Sequence, residues 1–86
     1  MLTIRNIQFT KLLKAGGRLR EFNFRKTSFE GNVFFNVDVT DDRGNRIMFR
    51  LQKEENAWKI IPQVLPEWIT AIEPNLYDVV EDESNF

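Results

Sequence analysis

Hydrophobic and polar residues alternate through the middle of the chain with a period of two. Val33, Phe35, Val37 and Val39 are interleaved with Phe34, Asn36, Asp38 and Thr40. Ile47, Phe49 and Leu51 alternate with Met48, Arg50 and Gln52, and Phe22 and Phe24 alternate with Glu21, Asn23 and Arg25. A strand points successive side chains to opposite faces, so each run predicts a strand with one buried face. Turn-forming residues separate the runs at Phe29-Glu30-Gly31-Asn32, Asp41-Asp42-Arg43-Gly44-Asn45 and Lys53-Glu54-Glu55-Asn56. The pattern predicts strands near 18–26, 32–40, 46–53 and 57–61, with a segment at 3–14 as a fifth strand or a short helix ending at Gly16.

Loop lengths test whether these strands share a core. A five-residue loop at 41–45 pairs Val39 with Ile47, Val37 with Phe49 and Phe35 with Leu51. A six-residue loop at 27–32 pairs Phe24 with Phe35 and Phe22 with Val37. A four-residue loop at 53–56 pairs Leu51 with Trp58 and Phe49 with Ile60. Gly16-Gly17 suits a two-residue primed turn, which pairs Phe9 with Phe24, Ile7 with Lys26 and Lys11 with Phe22. All three inter-strand loops keep the apolar partners on one face, whereas a slip of one residue would invert a strand. The expected core is Phe22, Phe24, Phe35, Val37, Phe49, Leu51, Trp58 and Ile60.

Beyond Ile61 the period changes. Pro62 and Pro66 end the sheet, and Trp68, Ile69, Ile72, Leu76, Val79 and Val80 fall at helical spacing. Pro66 and Glu67 favour a helix start. Pro74 lacks the donor a helix interior needs, so it kinks or divides the helix. The expectation is an α+β domain over residues 1–80: an antiparallel meander of four to five strands with one face covered by a C-terminal helix. Trp58 and Trp68 are expected at the sheet–helix interface, and residues 81–86 form an acidic, frayed tail.

Composition narrows the chemistry. The 86 residues contain no cysteine and no histidine. This leaves no disulfide, no thiol chemistry and no imidazole base. Ser28, Ser84 and the threonines have no histidine to activate them. Asp41, Asp42, Glu54 and Glu55 lie in turns, and Glu81, Asp82 and Glu83 in the tail, without calcium-loop spacing. The chain therefore reads as non-enzymatic, with no catalytic residue, metal or cofactor. It contains no apolar run long enough to cross a membrane. Arg5, Lys11 and Lys14 interrupt any signal-peptide core, so a cytoplasmic location is expected.

Net charge is −1, but the signs are segregated. Residues 1–26 sum to +6 and residues 54–86 to −7. Either the two ends lie together and neutralise each other, or they provide a basic ligand surface or head-to-tail self-association.

The face opposite the core is mixed. It carries Thr10, Leu12, Lys14, Leu19, Asn23, Arg25, Phe34, Asn36, Met48, Arg50 and Gln52. Aromatic, amide and guanidinium groups in alternation suit single-stranded nucleic acid. Leu12, Leu19, Phe34 and Met48 equally suit a homodimer patch. An ordinary exposed face, with Asp38 and Arg50 as diagonal ion-pair partners, is the third alternative.

Phe9-Thr10-Lys11-Leu12-Leu13-Lys14-Ala15-Gly16-Gly17-Arg18, followed by Phe22-Asn23-Phe24-Arg25, resembles the first hairpin of a PUR repeat. The order of four strands and a helix over about residues 7–80 is similar to that repeat. The resemblance implies binding of single-stranded DNA or RNA on the sheet, with repeats paired through their helices and two copies acting together. It extends candidate contacts to Lys11, Lys14, Arg18, Arg20, Arg25 and Lys26. The functional expectation is a non-enzymatic interaction or self-association module; the alternative is a single-stranded nucleic-acid-binding domain. The candidate surface is Lys11, Lys14, Arg18, Arg20, Asn23, Arg25, Phe34, Asn36, Met48 and Arg50.

Overall fold

The period-two runs form one antiparallel sheet with strand order β1-β2-β3-β4-β5, each strand beside its neighbour in sequence. The structure, a computed structural model, describes residues 7–84. Its elements are β1 (Ile7–Ala15), β2 (Arg18–Phe29), β3 (Asn32–Thr40), β4 (Arg46–Glu54), β5 (Ala57–Ile60), α1 (Glu67–Thr70) and α2 (Glu73–Ser84). The segment before Ala15 is therefore a strand from Ile7 onward; residues 3–6 of the expected strand lie outside the described residues.

Two hairpins form in the expected register. Gly16 and Gly17, at φ +63° and +80°, make the primed turn that sets Phe9 opposite Phe24 and Lys11 opposite Phe22. Lys11 sits on an edge strand and keeps its amine exposed, while Phe22 is fully buried. The 41–45 loop sets Val39 opposite Ile47, Val37 opposite Phe49 and Phe35 opposite Leu51. Asp41 organises this loop by accepting hydrogen bonds from the backbone amides of Arg43 (2.9 Å) and Asn45 (2.8 Å).

The other two registers differ from expectation by two residues. Phe24 faces Val37 and Lys26 faces Phe35, in place of Phe24–Phe35 and Phe22–Val37. Leu51 faces Ile60 and Lys53 faces Trp58, in place of Leu51–Trp58 and Phe49–Ile60. Both strands extend further toward tight turns at Glu30-Gly31 (φ 51° and 80°) and Glu55-Asn56 (φ 45° and 74°). Left-handed dihedrals at both central residues match the twist of the flanking strands, which favours these turns over the longer loops. A shift of two leaves every side chain on its expected face.

Phe22, Phe24, Phe35, Val37, Val39, Phe49, Leu51 and Trp58 are buried together with Ile69, Ile72, Leu76 and Val80 of the helical segment. Ile60 is only half-buried, because it lies on the short edge strand β5. Phe9 stacks on Phe24 at 4.9 Å, and Phe35 meets Phe9 and Trp58 edge-on at 6.1 and 5.3 Å. Each of these pairs lies in the range where ring quadrupoles attract.

The helical segment comprises two elements, with Pro74 at the second position of α2. There its missing donor costs nothing. Helix α2 continues through Ser84, so Glu81, Asp82 and Glu83 are helical where a frayed tail was expected. Glu81 accepts a 2.7 Å hydrogen bond from the Trp58 indole, and the Tyr77 hydroxyl accepts one from the Ile60 amide. Among the described residues, no helix is long and apolar enough to cross a membrane.

Arg20 shares its side of the sheet with Phe22 and Phe24 and is only 8% exposed. Its Nε donates to the Ala15 carbonyl at 2.8 Å and its Nη1 to Asp42 at 3.0 Å, while its guanidinium lies 4.1 Å from the centre of the Trp68 ring. Gly16 completes this junction. A Cβ added there would come within 3.1 Å of both Arg20 and Trp68, whereas one at Gly17 would meet nothing.

Truncating Phe35 to Ala should cost about 3–5 kcal/mol, a large part of the stability of a small domain, measured as a lower urea midpoint at unchanged slope. Gly16→Ala and Gly17→Ala should each lose about 1–2 kcal/mol from the left-handed backbone alone. Gly16→Ala should be the worse of the two in the same titration, through its clash with Trp68; equal losses would contradict the packing assigned to Arg20.

Candidate nucleic-acid interface

Because β3 commits Phe35, Val37 and Val39 to the core, it turns Phe34, Asn36 and Asp38 to the opposite face. The ladders align that open face into cross-strand rows. One row runs Thr10, Asn23, Asp38, Met48, the next Gln8, Arg25, Asn36, Arg50, and the third Thr27, Phe34, Gln52, Lys59. A shallow trough of about 590 Å³ lies across the first two rows, its lining including Asn23, Arg25, Asn36, Asp38, Met48 and Arg50.

The polar groups of the first row are linked in a relay. The Thr10 hydroxyl donates to Asn23 Oδ1 at 2.6 Å, Asn23 Nδ2 donates to Asp38 at 3.0 Å, and Arg46 Nη2 donates to the other Asp38 oxygen at 3.2 Å. In the next rows Arg50 Nε donates to Asn36 Oδ1 at 3.0 Å, and Asn36 Nδ2 donates to the Thr27 hydroxyl at 3.3 Å. The Arg50 guanidinium also lies over the Phe34 ring, 5.3 Å from its centre. Asp38 therefore pairs with Arg46, not with Arg50 as its diagonal partner. Arg50 is held instead by the amide in its own row and the ring in the next.

Partial burial pushes the Asp38 carboxyl up. The Asn23 amide, the Arg46 guanidinium and the nearby charge of Arg25 together outweigh burial and hold it below its ordinary value. The backbone hydrogen bond from Asn45 does the same for Asp41 in its loop. Burial leads the other way for Tyr77, which is raised.

Of the ten sequence candidates, Asn23, Arg25, Phe34, Asn36, Met48 and Arg50 share the central rows of the open face. Lys14 is on the same face farther along, opposite Leu19. Lys11 is exposed on the edge strand but has the core-side parity of Phe9 and Leu13. Arg18 pairs with Asp42 at 2.9 Å. Arg20 is buried on the other side of the sheet, where its donors are spent on Ala15 and Asp42. Its parity with Phe22 was readable, but the hairpin resemblance groups it with the other cations. Gln8 and Arg46 also line the trough, and their parity with Thr10 and Met48 is the signal that places them there.

The exposed apolar residues do not form one patch. Leu12, Leu19 and Met48 are 60%, 66% and 59% exposed. Leu12 and Leu19 are diagonal neighbours on β1 and β2, while Met48 lies on β4, about 14 Å away at the usual strand spacing. Asn23 and Asp38 lie between them.

Lys11, Lys14, Arg25 and Lys26 form no ion pair with a described residue; nor do Glu67, Glu73, Asp78 or Asp82. Direct pairing within the described residues thus does not neutralise the basic front against these acids.

Comparisons with protein-family models, with curated proteins and with solved structures each return no match.

Asp38, held below its usual value of 3.8, stabilises the fold above that pH, and the contribution is lost as pH falls through the lowered value. Asp38→Asn should therefore flatten the loss of stability in acid below about pH 4, measured as melting temperature against pH. A variant that follows the wild-type acid limb throughout would contradict the Asn23–Asp38–Arg46 relay.

Proposed function

We propose that this chain is a non-enzymatic binding module whose open sheet face holds single-stranded nucleic acid. One observation carries the reading. Arg25 and Arg50 flank Asn36 in a single row, and Phe34 lies beside them in the next. This sets guanidinium and amide groups in the trough with an aromatic ring in the row beside it, the set that phosphates and unpaired bases require. The resemblance of the first hairpin to a PUR repeat supports the same ligand.

The overall pI near 5.4 is compatible with this reading. In it the helical segment covers the core side of the sheet, so the acids of α1 and α2 face away from the strand-binding side. Arg20, and Arg18 through Asp42, serve the fold, and Arg46 is paired with Asp38, while Arg25, Arg50 and Lys14 supply the cationic surface.

Self-association is the second reading, favoured by the paired exposure of Leu12 and Leu19. It uses a different surface from the helices through which the PUR resemblance pairs two copies. Sedimentation of wild type and Leu12→Ser/Leu19→Ser separates it from a monomeric module.

A short single-stranded oligonucleotide should bind with an affinity that falls as salt rises, with a log–log slope of about −0.7 for each phosphate neutralised. A duplex of the same length should compete poorly, because its bases are already stacked and cannot reach Phe34 or Arg50. Equal affinity for both forms, or binding indifferent to salt, would overturn the assignment.

A further inference from the structure

The two arginines that flank Asn36 are held very differently. Arg50 is fixed twice, by its Nε bond to Asn36 and by the Phe34 ring beneath its guanidinium. Asn36 is itself anchored on Thr27. Arg25, in the same row, makes no hydrogen bond or ion pair with any described residue.

This difference has chemical consequences. A guanidinium is flat, delocalised and weakly hydrated, so it stacks on aromatic planes. The Arg50 Cζ lies over the Phe34 ring on one side, and because Arg50 is exposed its other side is open to an incoming ring. Phe34 is half-buried, with Arg50 over its face, so an arriving base meets the guanidinium before the phenyl ring. Much of the conformational freedom that stacking would remove from Arg50 is already gone. Arg25 has the charge of Asp38 nearby but no hydrogen bond that fixes its orientation. A cation held only by a neighbouring charge can follow a moving phosphate but offers no fixed plane.

We propose that the two arginines divide the work: Arg50 is a stacking plane for an unpaired base, backed by Phe34, and Arg25 is a phosphate anchor. The division rests on the reading of the open face as a single-strand surface. It specifies a ligand whose base is splayed from its neighbours, and it gives two cations of equal charge different salt signatures.

The test compares a short oligothymidylate with an abasic oligodeoxynucleotide of the same length, titrated over a range of salt. Arg50→Lys retains the charge and removes the plane. It should weaken oligothymidylate binding by about fivefold or more, the low end of what one base stack contributes. Its salt slope should be unchanged, and its abasic binding should match wild type. Arg25→Ala should weaken both oligonucleotides by the same factor and reduce the slope by about 0.7. Both positions are exposed, and melting temperatures verify that the variants remain folded. Arg50→Lys binding oligothymidylate as wild type does, or losing equally on the abasic strand, overturns the division while leaving the face reading intact. Wild-type protein that binds neither oligonucleotide at low salt overturns the face reading and the division with it.

Discussion

Phe35 holds the sheet together across its width. From the central strand its ring reaches Phe9 on one edge strand and Trp58 on the other. Edge strands two positions away can bring rings into such contact only if the sheet curls toward its apolar side. The curl gathers the aromatic residues of β1, β2, β3 and β5 into one cluster, against which Ile69, Ile72, Leu76 and Val80 pack. With neither disulfide nor metal site among the described residues, this burial is the main source of stability available to a domain of this size.

The same alternation determines the outer face. Because Phe35 and Val37 point inward, Phe34, Asn36 and Asp38 point outward, and the neighbouring strands set Arg25, Arg50 and Met48 beside them. The outer residues are further constrained by their own hydrogen bonds. Thr10, Asn23, Asp38 and Arg46 form one connected relay, and Thr27, Asn36 and Arg50 form another. Asn36 on the central strand is therefore held in place both by the strand geometry and by its polar partners.

Faces were legible in the sequence, while two registers were not. Hydrophobic alternation has period two, so pairings that differ by two residues satisfy it equally, and Phe24 finds an apolar partner in either Phe35 or Val37. Turn chemistry removes the ambiguity. Gly31 and Asn56 accept left-handed dihedrals easily, and Glu30 and Glu55 adopt them as first turn residues, which the sequence signals only weakly. The site was legible to the same extent. Six of its residues follow from parity alone, whereas the partners of Asp38 and Arg50 depend on a choice among diagonal neighbours that no one-dimensional pattern records. Arg20 was obscured for another reason: its charge resembles that of the surface cations, while its position among alternating phenylalanines places it inside.

The Arg20 junction also bears on the order in which the molecule assembles. Every strand pairs with its neighbour in sequence, so the sheet requires only short loops to close, and hairpins of this kind form in microseconds. Seating Trp68 on Arg20 and Gly16 instead closes a loop of more than half the chain, whose entropy must be lost before the contact is gained. The meander is thus the part of the molecule with the fastest route to its native pairing. With the meander in place, the short segment from Ile60 to Trp68 is all that remains to be closed, and the core cluster is complete only when Ile69, Ile72, Leu76 and Val80 join it.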